Sequence, residues 1–329
     1  MMRRDQIIVV GAGISGVLLA RGLRQAGCDV VILEKSRGFG GRMATRRWDE
    51  QRFDHGAQTF TLRSRLAQET FKPLIETGVL ARWPNGTSTS PEEERWIGLP
   101  GMSSVARALA EGIHVINGAR AETATPTETG WTVRLVDGAE LSCSLLALTS
   151  PVPQSLDIIQ PALDQVAPPI RQQLERIDYD PSYALLAKLD HPASGEWRAG
   201  REIEDERIAW IADNQSKLRP QETGNGALVA QSTPEFARRN EHTEREQVTE
   251  AMSSAVEQLI GARLSERRLH WWKYASPNTR IAEQALLSVT PSPTLFCGDA
   301  FGEGMIEGAV LSGIAACELA LKHLQLPRR

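Results

Sequence analysis

Three glycines, Gly11, Gly13 and Gly16, stand in the order G-x-G-x-x-G, and an acid, Glu34, follows them. These residue types at this spacing bind a molecule that carries a pyrophosphate and a ribose. Gly11 permits the tight turn, Gly13 lets backbone approach the phosphates, and Gly16 lets the next helix pack closely on the strand before it. Ile14 and Ser15 fall where the helix N-terminus offers amide donors and the positive end of its dipole. Glu34 accepts from the ribose hydroxyls, with Lys35 beside it, and a carboxylate in that place disfavours a 2′-phosphate. The turn therefore implies NAD or FAD rather than NADP, and it leaves those two open.

A second glycine-rich turn, GDAFGEGMIEGA at 298–309, narrows the choice. Asp299 follows an expected strand at 294–297, so its carboxylate can accept from a ribityl hydroxyl. A helix expected at 308–324 aims the amides around Glu307, Gly308 and Ala309 at a flavin pyrimidine, where reduced flavin carries negative charge. FAD has a second half for this turn to hold and NAD does not. The turn contains no cysteine or histidine after Asp299, so the FAD is expected to be non-covalent.

The elements that must position these residues follow from the pattern. Residues 6–10 and 30–33 are apolar β-branched runs and 14–26 has helical spacing, which makes a βαβ unit. Farther on, the sequence predicts a helix at 101–110 capped by Ser103, a strand at 113–116, and a hairpin of 131–136 with 140–148 turning at Asp137-Gly138. Residues 151–284 predict a helix at 170–177, strands at 183–189, 207–212 and 227–232, and an amphipathic helix at 243–260, hence a sheet with a helix on one face. The loop NGTSTSPEEE at 85–94 marks a change of domain. The expected fold class is α/β: a Rossmann-like FAD-binding domain of residues 1–60, 96–150 and 285–329, with an inserted α+β substrate domain of 61–95 and 151–284.

A chain of 329 residues, 41% hydrophobic and 24% charged, can bury a core large enough for two domains. Its net charge of −4 gives no general attraction to nucleic acid or to an anionic membrane. Arginines nevertheless cluster at Arg37, Arg42, Arg46 and Arg47, an arrangement that serves phosphates or salt bridges. Cys28, Cys143, Cys297 and Cys317 stand singly and without metal-ligand spacing to the histidines, so reduced thiols, no metal and a cytoplasmic location are expected. Arg3-Arg4 before an apolar stretch superficially imitates a twin-arginine leader, but the glycine fingerprint occupies that stretch. No uninterrupted apolar run of about 18 residues predicts a membrane span.

The segments EKSRGFGGRM at 34–43, DHGAQTF at 54–60, PGMSSV at 100–105 and GDAFGEGMIEGAVLSG at 298–313 resemble the flavin amine oxidase superfamily, with its GR2-type FAD domain. Within it, WIADNQSK at 210–217 and HWWKYASP at 270–277 are similar to the bacterial renalase-like branch. The resemblance implies that Arg42, followed by Met43, touches the pyrophosphate and that Gly56, Ala57 and Gln58 lie along the isoalloxazine. For activity it implies oxidation of the 2- and 6-dihydro isomers of NAD(P)H to NAD(P)+, with oxygen as the partner that becomes hydrogen peroxide. Amine oxidases of the superfamily place a lysine near flavin N5. Aligned on its closing proline, PSYALLAKLDHP at 181–192 puts that place at about Ala184, with Lys188 displaced from it.

A dihydropyridine that loses hydride becomes an aromatic pyridinium, so the protein must orient it and need not deprotonate it. No acid or base is therefore assigned with certainty, and His55 and Gln58 are the candidates at the flavin edge, Gln58 as an orienting hydrogen-bonder. Trp210, Phe236, Trp271, Trp272 and Tyr274 are candidates for a flat substrate pocket, and strand alternation puts Trp272 and Tyr274 on one face and Trp271 on the other. Asn214 and Lys217 either meet substrate or belong to a solvated loop. The competing functions are an amine oxidase acting on a small amine and an FAD-fold binding protein without catalysis. Intact Glu34, Arg42 and Asp299 speak against the second. A monomer and a homodimer are equally compatible with the sequence.

Overall fold

The computed structural model describes residues 6–83, 94–190, 200–217 and 226–326. Arg3, Arg4, Pro192 and, save for Glu94, the loop expected at 85–94 lie outside them. The strands Ile7–Val10, Val30–Glu34, His114–Asn117, Leu145–Leu148 and Thr294–Phe296 form a parallel sheet, with Leu286–Ser288 added antiparallel at one edge. The strand order is 286–288, 294–296, 145–148, 7–10, 30–34, 114–117.

Continuous apolar runs suit the inner strands because both faces of the sheet are covered there, while the edge strand His114–Asn117 is partly exposed. Ile7, Val9, Val30, Ile32, Leu145 and Ala147 pack under helices that include Ile14–Gln25, Ser103–Leu109 and Met305–His323. Ile8, Val10, Val31, Leu33, Leu146 and Leu148 pack instead on a three-stranded meander, Ala121–Thr127, Gly130–Leu135 and Glu140–Cys143, through Trp131 and Val133. The expected strand at 140–148 thus divides at Ser144 into pieces that serve different sheets. Two further expectations shift. Ser103 lies inside its helix with Met102 at the cap position, and the final helix begins at Met305, three residues before the expected start.

A five-stranded antiparallel sheet forms the second centre, in the order Arg201–Glu202, Ile208–Asp213, Ala227–Ser232, Tyr179–Leu189, Leu264–Pro277. Helices Pro234–Arg239 and Arg245–Ile260 cover one face, where Tyr183, Leu185, Phe236, Val248 and Met252 are buried together. The other face, with Ala184, Leu186, Ala227 and Val229, receives Trp48 and Phe53 from the hairpin Thr45–Trp48 and Gln51–Asp54. That hairpin carries the chain from the first glycine turn to the second sheet. A smaller hairpin pairs Leu80–Arg82 with Trp96–Gly98, across the segment boundary expected at 95/96.

Candidate active site

The first turn has the geometry its glycines permit. Gly11 has φ +109°, and a Cβ there would lie 2.8 Å from Thr149 Oγ1. A Cβ on Gly16 would lie 2.2 Å from the Gly11 carbonyl, whereas one on Gly13 would meet no atom within 4 Å. Gly13 therefore faces open space at the start of helix Ile14–Gln25, where a phosphate can approach. Glu34 is buried, and its carboxylate is pinned by the amides of Ala12 at 2.8 Å and Ser36 at 2.7 Å. A carboxylate oxygen has more than one acceptor position, so both remain able to accept from a ribose. The R-G-F-G-G-R turn lies against the first: Gly40 N–H donates to Ala12 at 3.0 Å, and a Cβ on Gly41 would come within 3.7 Å of Gly13 Cα. Met43 is buried there, while Lys35 is exposed and donates to Gln154.

Arg42 and Asp299 join the two glycine-rich turns in a bidentate ion pair, with N–O distances of 2.5 and 2.6 Å. Arg42 also donates to the Tyr274 carbonyl at 3.4 Å. The amides available at the start of the last helix are those of Met305, Ile306 and Glu307, because Gly308 N–H already donates to Gly304 at 2.7 Å. This corrects the expected positions Gly308 and Ala309, of which Ala309 is also packed into the core. The Glu307 carboxylate accepts from Arg63 N–H at 3.0 Å and Ser64 N–H at 2.6 Å. It ties helix Arg65–Glu76 to the last helix, and these bonds hold it below the usual carboxylate range against the opposing effect of burial. The open space at Gly13, the buried Glu34 and the free first-turn amides fit FAD, which Arg42 and Asp299 would meet at its middle.

Between the sheets, residues 55–58 are fastened from several sides. Trp272 Nε1 donates to the His55 carbonyl at 2.8 Å, Gln231 Nε2 to the Gly56 carbonyl at 2.5 Å, and Ala57 N–H to the Arg42 carbonyl at 2.8 Å. Gly56 must be glycine, since a Cβ would sit 2.0 Å from that Arg42 carbonyl. The Gln58 amide is turned into the protein rather than offered to a flavin. Its Oε1 accepts from Asn214 Nδ2 and Lys217 Nζ, both at 2.9 Å, and its Nε2 donates to the Asp54 carbonyl. Asn214 is consumed as well, accepting from Asp54 N–H at 2.6 Å. Neither Asn214 nor Lys217 is part of a solvated loop: both are buried on the short 3-10 turn Asn214–Lys217.

Lys217 Nζ lies 2.9 Å from Asp54 Oδ2, with each side chain only 3% exposed. Burial pushes the Lys217 ammonium down from its usual range while Asp54 draws it back up. Asp54 also accepts from Thr45 Oγ1 at 2.6 Å and Met102 N–H at 2.9 Å, so its carboxylate is the centre of the network. Asp54, Gln231 and His270 are the residues that the sequence reading did not assign. Asp54 had a signal, its place at the head of DHGAQTF.

His55 stacks on Trp272 with ring centroids 5.3 Å apart and meets the edge of His270 at 4.7 Å. Burial, then His270 and then Arg46, push its pKa down to about 3, and burial followed by Arg46 pushes His270 to about 4. His55 Nδ1 has no hydrogen-bond partner among the described residues although the side chain is 6% exposed. Trp271 lies on the other face of the sheet against Tyr183, and Tyr274 packs on Tyr179 at 5.6 Å. Phe236 is corrected: it sits in the core beneath the helices with Tyr183, on the face away from residues 55–58. Trp210 packs with Trp83 and Ala212 and carries Arg95 over its ring. Ala184 is a buried methyl paired with Gln231 and His270, while Lys188 is held at the far end by Asp49 and Glu266.

Two glycine turns on a parallel sheet, joined through Arg42 and Asp299 and set against a second sheet, define an FAD-dependent oxidoreductase. The chain belongs to the flavin-containing amine oxidoreductase family, which matches residues 81–321, and residues 9–74 match the NAD(P)-binding Rossmann-like domain. Mouse renalase is 22% identical over 341 residues, spanning 97% of this chain and 100% of that protein. Phytoene desaturase of Fusarium fujikuroi is 36% identical over 95 residues, 29% of this chain and 16% of that protein. In fold, the chain is similar to a solved putrescine oxidase bound to putrescine, with TM-score 0.70, 16% identity, and 96% and 99% of the two chains covered. Among the described residues, no helix is long and apolar enough to cross a membrane.

Proposed function

We propose that this protein is a renalase-like oxidase that converts the 2- and 6-dihydro isomers of NAD(P)H to NAD(P)+, with oxygen as acceptor. When bound, FAD supplies the two-electron acceptor and the route of those electrons to oxygen. The balance is one dihydronicotinamide, one oxygen and one proton giving one nicotinamide cation and one hydrogen peroxide.

The observation that carries the proposal is the wall facing residues 55–58. There Ala184, with a methyl group, stands between Gln231 and His270, while Lys217, which reaches this segment at Gln58, is committed to its ion pair with Asp54. The two imidazoles on this wall, His55 and His270, have pKa values of about 3 and about 4. Such groups cannot take a proton from an alkylammonium ion, whose pKa lies near that of lysine, about 10. A dihydropyridine makes no such demand. The planar Trp272, His55 and His270 instead offer a surface against which a flat ring can be oriented.

The test is anaerobic mixing of the FAD-loaded protein with borohydride-generated isomers of NADH and, separately, with primary amines. Bleaching of the flavin band by the isomers is expected. Bleaching by amines alone sinks the proposal in favour of a small-amine oxidase.

A further inference from the structure

Beside this wall the hairpin 45–54 and the edge strand Leu264–Pro277 meet at Trp48. The Arg268 guanidinium lies 4.0 Å from the centroid of the Trp48 ring and Lys188 Nζ lies 4.7 Å from it. These two cations differ in what balances them. Lys188 is ion-paired with Asp49 and Glu266, whereas Arg268 and Arg46 make no close ion pair among the described residues, Arg268 reaching Asp49 only through its longer-range field.

Strand alternation gives both arginines the same outlook. Arg268 is two residues before His270 on one face of its strand, and the preceding Arg267 turns to the other face, where it pairs with Glu250 at 2.7 Å. Arg46 is two residues before Trp48 on its own strand, and its cross-strand neighbour, Phe53, is two residues before His55. Two guanidinium groups without a close ion-pair partner among the described residues therefore flank the His55 and His270 pair, Arg268 sharing the field of Asp49 with Lys188. Arg268 is exposed and Arg46 half-buried, so an incoming molecule can reach them.

We propose that Arg46 and Arg268 form a phosphate-binding subsite that takes the pyrophosphate of the substrate while its ring lies against Trp272 and His270. This rests on the dinucleotide reading of the substrate given above. Guanidinium is suited to the task because its planar fork donates two parallel hydrogen bonds to a phosphate. The same charges repel an alkylammonium ion, so the subsite selects against small amines as well as for nucleotides. It also gives a use to Arg46 in the arginine cluster that the glycine turns leave unassigned.

The experiment compares the FAD-loaded wild type with the Arg46→Gln/Arg268→Gln double variant. ADP-ribose, which carries the pyrophosphate without the reacting ring, is titrated calorimetrically into each. In parallel, kcat/KM is measured for the 6-dihydro isomer of NADH and for the corresponding isomer of 1-methyl-dihydronicotinamide, which has no phosphate. ADP-ribose binding is expected to weaken by about tenfold or more in the variant, with a similar loss for the dinucleotide, mainly through KM. The phosphate-free substrate is expected to change by less than about twofold, as it makes no contact with the arginines.

Equal ADP-ribose affinity in the two proteins overturns the subsite, as does an equal loss on both substrates or a wild type that does not bind ADP-ribose. A wild type that oxidises no dihydronicotinamide but loses ADP-ribose binding in the variant overturns the proposed reaction and leaves the subsite standing. If the double variant fails to retain FAD, the exposed single variant Arg268→Gln carries the same comparisons.

Discussion

At the scale of the residue, the buried ion pair of Lys217 and Asp54 is the largest electrostatic commitment beside the active site. Removing one partner leaves a charge uncompensated in the interior, which costs about 3 kcal/mol or more. Lys217→Met is therefore expected to lower the midpoint of urea unfolding sharply, and adding Asp54→Asn in the same chain to recover most of the loss. His55 gives a pH dependence of definite sign. Its pKa is about 3 in the folded protein and about 6.5 when unfolded, so the unfolded state takes up its proton first as pH falls. The stability this residue contributes is fully present only well above pH 6.5 and is lost as pH drops towards 3, by about 1.4 kcal/mol at pH 5.5. Urea titrations at pH 7.5 and 5.5 are expected to show a smaller pH difference for His55→Asn than for the wild type. Little of this was legible in the sequence. Lys217 and Asp54 are separated by 163 positions, and a lysine after a polar run looks solvated until its partner is known.

At the scale of the element, glycines that look equivalent as letters do different work. Gly13→Ala is expected to leave the thermal midpoint of the FAD-free protein nearly unchanged and to weaken FAD binding by about tenfold or more, because its new methyl fills only the space that a phosphate would use. Gly16→Ala drives a methyl into the Gly11 carbonyl and is expected to destabilise the FAD-free protein itself, by roughly 1–3 kcal/mol. Fluorescence titration with FAD and melting of the apoprotein separate the two. Elements whose pattern is local were readable: the strands at 7–10 and 30–34, the helix between them and the helix at 245–260 lie within one to three residues of expectation. The strand Leu264–Pro277 was visible only around its tryptophans. Its Glu266, Arg267 and Arg268 belong to a sheet edge where charges are tolerated, so no apolar alternation marks it. The hairpin 45–54 was hidden for a similar reason, since its strands bury mainly Trp48 and Phe53 and owe their place to the sheet beneath.

At the scale of the whole molecule, FAD spans turns that are far apart in the chain, so its binding energy adds directly to the stability of the assembled fold. Free FAD at about 100 times its dissociation constant is expected to add about 2.7 kcal/mol, seen as a rise of several degrees in the melting midpoint. Asp299→Asn, which removes a charge from the Arg42 pair, is expected to give a smaller rise in the same melt. The two-turn logic of the cofactor was legible because each turn is a continuous motif. How residues 55–58 are fastened was not, as their partners Gln231 and Trp272 lie 175 and 217 positions away. The packing of the final helix on the first, so close that a Cβ on Gly313 would strike the Ser15 carbonyl at 2.4 Å, has a consequence for biosynthesis. On the ribosome, at about 5–20 residues per second, tens of seconds or so separate the emergence of Glu34 from that of Asp299 and Gly313. A nascent chain in that interval has the adenosine half of the cradle without its closing wall. The complete flavin cradle is therefore expected only in chains from which residue 313 has emerged.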